Sequence, residues 1–144
     1  MKNSPAFWDS SAIVLLCCQQ ANSPQSRLYA RNFPRLVIWW ASCVEVTSAL
    51  ARLRRENLIS QDILSLSLNR LTLIQTSCLE ILPVEQVREL AQDLLLQYPL
   101  RAADSLQLAA ALAWCKGKPK HRPFICFDDR LASVALSVGF DIYN

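Results

Sequence analysis

Short apolar runs alternate along the chain with longer segments in which apolar residues recur at helical spacing. The apolar runs predict strands over residues 6–8, 35–40, 79–82, 124–127 and 140–143. The helical spacing predicts helices over residues 12–20, 25–32, 43–56, 61–75, 84–97, 100–115 and 131–138. This alternation predicts an α/β fold with three layers, in which helices flank a short, mostly parallel sheet of about four or five strands.

The boundaries of these elements carry polar side chains. Ser10-Ser11, Ser42 and Ser60 each precede an apolar helical segment and are predicted helix caps. Gly139 stands at the usual position for the end of a helix. The segment 100–115 is apolar almost all round, which predicts a helix at the centre of the fold.

Length and composition narrow the class of protein. The 144 residues suit one domain over residues 1–144, and 52% hydrophobic residues indicate a packed globular chain. A net charge of +3 is only weak evidence for a polyanionic partner. Two glycines leave no Walker loop and no dinucleotide-binding loop. The one histidine, His121, lies in a basic, proline-flanked loop, which disfavours a hydrolase with a histidine base.

The six cysteines indicate a reducing compartment. No CxxC motif occurs, and most of the cysteines lie within apolar runs, which favours buried free thiols. No signal peptide is visible, and the apolar run over residues 12–18 is too short to span a bilayer. We therefore expect a cytoplasmic protein that does not interact with membranes.

Four acids stand where strands end or helices begin: Asp9, Glu45, Asp104 and Asp128. In a parallel sheet these places meet at the carboxyl edge, where such folds place their sites. Four carboxylates at one edge repel each other unless a divalent cation lies among them. Each acid taken alone has another explanation, as a helix cap or a partner of the helix dipole.

The surroundings of these acids resemble the PIN domain, and within it the toxin ribonucleases of the VapC type. The similar stretches follow in the same order through nearly the whole chain: FWDSSAIV (7–14), SCVEVTSALARL (42–53), LRAADSLQLA (100–109), FDDRLA (127–132) and VGF (138–140). One such stretch is a weak signal, whereas all of them in order are fairly specific. The fold of that family agrees with the predicted layers.

The resemblance implies endonucleolytic cleavage of RNA with Mg²⁺ or Mn²⁺. It implies that Asp9, Glu45, Asp104 and Asp128 are the catalytic, metal-binding acids, and that the hydroxyl of Ser11 supports Asp9. It also implies a cognate antitoxin that binds near the active site, and a homodimer. The predicted function is therefore a metal-dependent endoribonuclease, the toxin of a toxin–antitoxin pair.

The sequence departs from the family at three places. Gln107 stands where many relatives carry histidine, and Cys126 stands where threonine is common. The doublet Asp128-Asp129 leaves the fourth ligand open, although the resemblance favours Asp128. None of these departures removes one of the four acids.

The predicted chemistry needs no histidine. Carboxylate oxygens are hard ligands that suit Mg²⁺ or Mn²⁺. Such a cation lowers the pKa of a bound water and stabilises the charge that develops on the phosphate oxygens. We expect Asp9 and Asp104 to be the main ligands, with Glu45 and Asp128 acting directly or through water; the number of ions stays open.

Basic and aromatic residues supply further hypotheses. Arg27, Arg31 and Arg52 are candidate contacts for RNA phosphates, although arginines near helix ends are also favourable by themselves.

The basic loop 116–122 leads into a strand and is expected at the amino edge, opposite the acids, as a solvated loop. Trp39 and Trp40 are expected to be buried on opposite sides of the sheet, the alternative being that one indole marks a contact surface.

Two other functions compete with the nuclease. A non-catalytic RNA-binding or scaffold protein could retain the same fold, although the intact acids argue against it. A small hydrolase acting on phosphorylated small molecules would lack the usual glycine-rich phosphate loop. The leucine-rich helices between residues 61 and 97 are more apolar than a small monomer needs, which suggests a partner or a second copy.

Overall fold

Seven helices and five strands alternate along residues 3–144, the part of the chain that the computed structural model describes. The strands β1 to β5 are Ala6–Trp8, Leu36–Trp39, Leu79–Ile81, Pro123–Ile125 and Asp141–Tyr143. The helices α1 to α7 are Ser10–Cys17, Ser23–Asn32, Ser42–Arg55, Gln61–Ser77, Glu85–Gln97, Ala102–Trp114 and Asp129–Val138. All predicted strands and helices are present, with boundaries that differ by a few residues.

The strands form one parallel sheet in the order β3-β2-β1-β4-β5. The chain builds β1 to β3 in one direction from the centre, and then returns to add β4 and β5 on the other side. The order therefore reverses between β1 and β4. In open α/β sheets a crevice forms at such a point, beyond the carboxyl ends of the strands, and this is where ligands bind.

Helices cover both faces of the sheet, which confirms the three-layer prediction. One face packs against α5, α6 and α7 around Phe7, Trp39 and Phe124. The other face packs against α1 to α4 around Trp8 and Ile38. Because both faces are covered, β1 and β4 are buried along their whole length and read as continuous apolar runs instead of alternating ones.

Helix α6 is the central helix, as its composition predicts. Its residues 107–112 are all buried, because α6 lies against both the sheet and α5. The small alanine side chains at 109–111 allow this close approach on several sides of the helix. One of the buried side chains is polar, namely Gln107, and it lies beside the candidate site.

Two of the predicted caps are wrong. The side chain that caps α1 is Asp9, which accepts a hydrogen bond from the backbone of Ser11, so Ser10 and Ser11 lie inside the helix. The residue that precedes α3 is Ala41, without a side-chain cap, and Ser42 is the first helical residue. The predicted cap Ser60 is confirmed, and so is Gly139 at the end of α7, with a φ of 123°.

The expectation that both tryptophans are buried is also wrong. Trp39 is 4% exposed, whereas Trp40 is 51% exposed. The reason is that β2 ends at Trp39, so Trp40 already lies in the connection to α3 and is not covered on either face of the sheet. The basic loop 116–122 leads into β4 and thus lies at the amino edge, as expected.

Helices α4 and α5, the edge strand β3 and the connection between β3 and α5 expose large apolar side chains. These are Ile63, Leu66, Leu73, Leu79, Leu82, Val84, Leu95 and Leu96, and Leu96 is 87% exposed. This agrees with the expectation of a partner surface. Among the helices of residues 3–144, none is long and apolar enough to cross a membrane.

Candidate active site

The four predicted acids lie at the carboxyl edge of the sheet, around the point where the strand order reverses. Asp9 directly follows β1, and Asp128 lies three residues beyond the end of β4. Glu45 lies in the first turn of α3, which follows β2, and Asp104 lies in the first turn of α6. The topology therefore brings together residues that are up to 119 positions apart in the sequence.

Asp9 is the most buried of the four acids, with an exposure of 3%. Its Oδ2 accepts a hydrogen bond of 3.0 Å from the backbone N–H of Ser11. Burial raises the pKa of Asp9 above its ordinary value, hydrogen bonds from Ser11 and Ser10 oppose this rise, and the charge of Asp104 adds to it. Within residues 3–144 no lysine or arginine forms an ion pair with Asp9. Its negative charge is thus uncompensated.

Glu45 is held by hydrogen bonds to both carboxylate oxygens. The hydroxyl of Ser10 donates to Oε2 over 2.9 Å, and Nε2 of Gln107 donates to Oε1 over 3.0 Å. The same Gln107 nitrogen also donates to the hydroxyl of the buried Ser42 over 2.9 Å. Burial is the main cause that raises the pKa of Glu45, and the charges of Asp9 and Asp104 add to it. These contacts fix the carboxylate of Glu45 while its neighbours disfavour its charge.

Asp104 and Asp128 line a cleft of about 400 Å³ between the beginnings of α6 and α7. Asp128 caps α7, because its Oδ1 accepts a hydrogen bond of 2.9 Å from the backbone N–H of Leu131. Burial raises the pKa of Asp104, the charge of Asp128 raises it further, and the charges of Arg101 and Arg130 lower it. Asp129 also lines this cleft.

Ser11 and Cys126 connect α1 to the end of β4. The hydroxyl of Ser11 accepts a hydrogen bond of 2.9 Å from the backbone N–H of Phe127. The thiol of Cys126 lies 3.7 Å from Oδ2 of Asp9 and 3.8 Å from the hydroxyl of Ser11. Burial raises the pKa of Cys126 strongly, and the charge of Asp9 adds to it, so the thiol stays protonated beside the acid. Ser11 supports Asp9 through its backbone amide and through its side chain, which lowers the pKa of Asp9, and its hydroxyl also accepts the bond from Phe127 at the β4–α7 connection.

The four acids interact electrostatically, but their side chains do not converge on one point. No three acidic, histidine or cysteine side chains of residues 3–144 are close enough together to hold a metal ion as they stand. Asp9 and Glu45 lie towards the interior, and Asp104 and Asp128 lie along the cleft. The donor atoms are hard oxygens that form no ion pair within residues 3–144, and oxygens of this kind suit Mg²⁺ or Mn²⁺.

The predicted arginine contacts lie outside this cleft. Arg27 donates to Oε1 of Gln19 over 2.8 Å, Arg31 lies in the last turn of α2, and Arg52 lies in the last turn of α3. The arginines that do line the cleft are Arg101 and Arg130. The sequence carries a signal for both, since Arg101 stands three residues before Asp104 and Arg130 two residues after Asp128.

Comparison with models of protein families and with curated protein sequences returns no match. Comparison with solved structures returns several similar chains. VapC20 from Mycobacterium tuberculosis, a toxin that cleaves the sarcin-ricin loop, is similar with a TM-score of 0.64 and 16% identity, over 91% of this chain and 95% of that one.

Two further structures are similar over nearly the whole chain. VapBC2 from Rickettsia felis, bound to a DNA fragment from their promoter, has a TM-score of 0.63 and 11% identity, over 98% of this chain and 100% of that one. FitAcB from Neisseria gonorrhoeae has a TM-score of 0.65 and 14% identity, over 96% of each chain. These likenesses confirm the fold that the sequence resemblance implies: the chain has the PIN-domain fold of VapC-type proteins.

Proposed function

We propose that this protein is a metal-dependent endoribonuclease that hydrolyses phosphodiester bonds of RNA. One observation carries the proposal. Within residues 3–144, three neighbouring carboxyl groups without an ion-pair partner have raised pKa values at the crevice where the strand order reverses: Asp9, Glu45 and Asp104. A fold that gathers uncompensated carboxylates at its ligand-binding edge gains stability when a divalent cation neutralises them.

The proposed cation is Mg²⁺ or Mn²⁺, with Asp9 and Asp104 as main ligands and Glu45 and Asp128 acting directly or through water. When bound, such a cation supplies Lewis acidity to the phosphate and lowers the pKa of water. The chain itself supplies the orientation. Ser11 holds one oxygen of Asp9, and Ser10 and Gln107 hold both oxygens of Glu45.

The proposed biological role is that of a toxin, with a cognate antitoxin as partner. Two facts support it. VapC20, which is similar in fold, is a toxin that cleaves the sarcin-ricin loop, and this chain exposes apolar residues on α4 and α5. Those apolar faces also support a homodimer. Expression of the chain in bacteria is expected to arrest growth, and co-expression of a neighbouring gene is expected to restore it.

The experiment that tests the activity is digestion of RNA by the purified protein with Mg²⁺ or Mn²⁺, with and without a chelator. We expect cleavage that the chelator abolishes and that Asp9→Asn and Asp104→Asn each abolish. The matched control is Asp93→Asn, which removes the same charge from an exposed position on α5 and is expected to cleave normally. Cleavage that persists in chelator, or in both variants at the site, would refute the proposal.

The alternative is a non-catalytic protein that binds RNA or serves as a scaffold with this fold. It is favoured by the observation that no three metal-binding side chains of residues 3–144 converge. Calorimetric titration with Mn²⁺ discriminates between the two. Binding that is lost in Asp9→Asn supports the nuclease, whereas RNA binding without any metal binding supports the alternative.

A further inference from the structure

The cleft between the beginnings of α6 and α7 contains two arginines that have no role in the proposed cleavage step. Arg101 is the residue that precedes α6, and Arg130 is the second residue of α7. Both side chains are exposed, and both line the cleft together with Asp104, Asp128 and Asp129. Two guanidinium groups therefore border one side of the candidate active site.

Neither arginine has a partner within the part of the chain that the structure describes. The ion pair found there joins Arg88 and Glu85 on the surface of α5. Arg101 and Arg130 donate no side-chain hydrogen bond, although Arg27 and Arg70, for example, do. Their donors therefore remain available to a ligand. A guanidinium group offers a planar fork of donors that fits the oxygens of a phosphate.

The positions of both arginines relative to the acids are set by the backbone. Arg101 lies one helical turn before Asp104, and Arg130 lies in the first turn of α7 beside Asp128, which caps that helix. Both arginines line the same cleft as Asp104 and Asp128. The two cations thus lie near enough to the acids to contact the same substrate.

A polyanion that approaches this edge meets the electrostatic repulsion of the aspartates. The arginines offset that repulsion at the mouth of the cleft, where three aspartates and two arginines line the wall. The beginnings of two helices, of 13 and 10 residues, face the same side and add the positive ends of their dipoles. RNA phosphates are the anions that such a surface suits.

We propose that Arg101 and Arg130 bind a phosphate group of the RNA next to the bond that is cut, and so position the strand over the acids. This inference rests on the proposed function, because it assigns the contacts of the same site with its substrate. Both are positioning residues: they hold the strand, and the chemical step belongs to the acids. The contacts depend on the sugar-phosphate backbone and are therefore independent of base sequence.

The test measures RNA binding without cleavage. The parent protein carries Asp9→Asn, the buffer contains a chelator, and the probe is a fluorescein-labelled single-stranded RNA of mixed sequence. Anisotropy titrations over a series of KCl concentrations give the Kd and its salt dependence. We expect the double variant Arg101→Gln, Arg130→Gln to weaken binding about tenfold or more, and to reduce the slope of log Kd against log[KCl] by about 1.4, or about 0.7 for each lost contact.

Two further variants make the result specific. Lys118→Gln with Lys120→Gln removes the same charge from the loop at the amino edge of the sheet and is expected to leave the Kd within about twofold. Arg101→Lys with Arg130→Lys retains the charge and is expected to retain the salt slope while losing part of the affinity, because lysine lacks the fork. A melting curve of each variant verifies that the protein is folded.

The possible outcomes separate this inference from the proposed function. The inference is refuted if the double arginine variant binds like its parent, if the lysine-loop variant loses as much affinity, or if the parent does not bind RNA. A wild-type protein that cleaves RNA while the arginine variants bind normally refutes the inference alone. A wild-type protein that never cleaves RNA, combined with arginine variants that lose binding, refutes the nuclease and retains the phosphate contacts.

Discussion

Replacing Asp9 by asparagine is expected to stabilise the metal-free protein at neutral pH. Asp9 performs two roles, since its Oδ2 caps α1 and its charge is buried without a cationic partner. Asparagine retains the first role, because its carbonyl oxygen caps a helix about as well as a carboxylate does. Asparagine removes the buried negative charge. The variant thus isolates the energetic cost of the buried charge from the benefit of the cap.

The magnitude follows from the contacts of Asp9. Burial of an ion costs several kcal/mol, and a hydrogen bond from the Ser11 amide to a charged acceptor returns about 1.5–3 kcal/mol. In Asp9→Asn the neutral side-chain amide retains about 1 kcal/mol of the hydrogen-bond energy with the Ser11 N–H. Its nitrogen must find an acceptor among the neighbouring carboxylates. The expected net gain is about 1–2 kcal/mol, or about 3–6 °C in Tm for a chain of this size.

The pH dependence has a definite sign. Because the fold raises the pKa of Asp9, the folded state binds its proton more tightly than the unfolded state, whose value is about 3.9. The carboxyl group therefore destabilises the protein increasingly as the pH rises from about 4 through its folded pKa. The advantage of Asp9→Asn is expected to vanish near pH 4 and to grow as the pH rises towards neutral.

The assay is thermal unfolding in chelator, followed by circular dichroism at several pH values. Asp9→Ala serves as the comparison, because it removes both the charge and the cap and is expected to be about 1 kcal/mol less stable than Asp9→Asn. Mg²⁺ at ten times its Kd is expected to stabilise the wild type by about 1.4 kcal/mol, and Asp9→Asn not at all. A lower Tm for Asp9→Asn at neutral pH, or an equal difference at every pH, would refute the reasoning.

Two further predictions concern neighbouring side chains. Gln107→Leu is expected to lower the free energy of unfolding in urea by about 1–3 kcal/mol, because Ser42 and Glu45 lose their donor; unchanged stability would show that these bonds contribute nothing. Thiol titration of the native protein with a disulfide reagent is expected to modify the partly exposed Cys43 and Cys78 slowly, since burial raises both pKa values, that of Cys78 to about 11. The four buried cysteines are expected to react only after unfolding, and their fast reaction in the native state would contradict the burial described above.

The architecture was predictable because each element carries a local signal. The apolar runs that form β1 and β4 are buried on both faces, and the alanine-rich segment of α6 could only be a central helix. The positions of the four acids were predictable for a related reason. Each lies at the junction of a strand or helix, and in a parallel sheet the junctions at the carboxyl ends share one edge.

Contacts between distant residues were not predictable from the same signals. Gln107 is a polar exception within an apolar helix. Only the structure shows that it donates a hydrogen bond to Glu45, 62 positions earlier in the chain. Arg101 and Arg130 stand near Asp104 and Asp128 in the sequence, but only the structure shows that both line one cleft between two helices. Trp40 was mispredicted because β2 ends one residue earlier than its apolar run.

Asp9 and Asp128 can each act both as a helix cap and as a metal ligand, although the sequence presents these roles as alternatives. Each carboxylate has two oxygens, and in each residue a backbone N–H of the following helix occupies one of them. In Asp9 the N–H of Ser11 and the thiol of Cys126 both approach Oδ2, and in Asp128 the N–H of Leu131 approaches Oδ1. A hydrogen bond to one oxygen restricts the rotation of the carboxylate and so orients the other. The cap is therefore a means of positioning a ligand atom at the carboxyl edge, and loss of the cap should weaken metal binding even where the charge is retained.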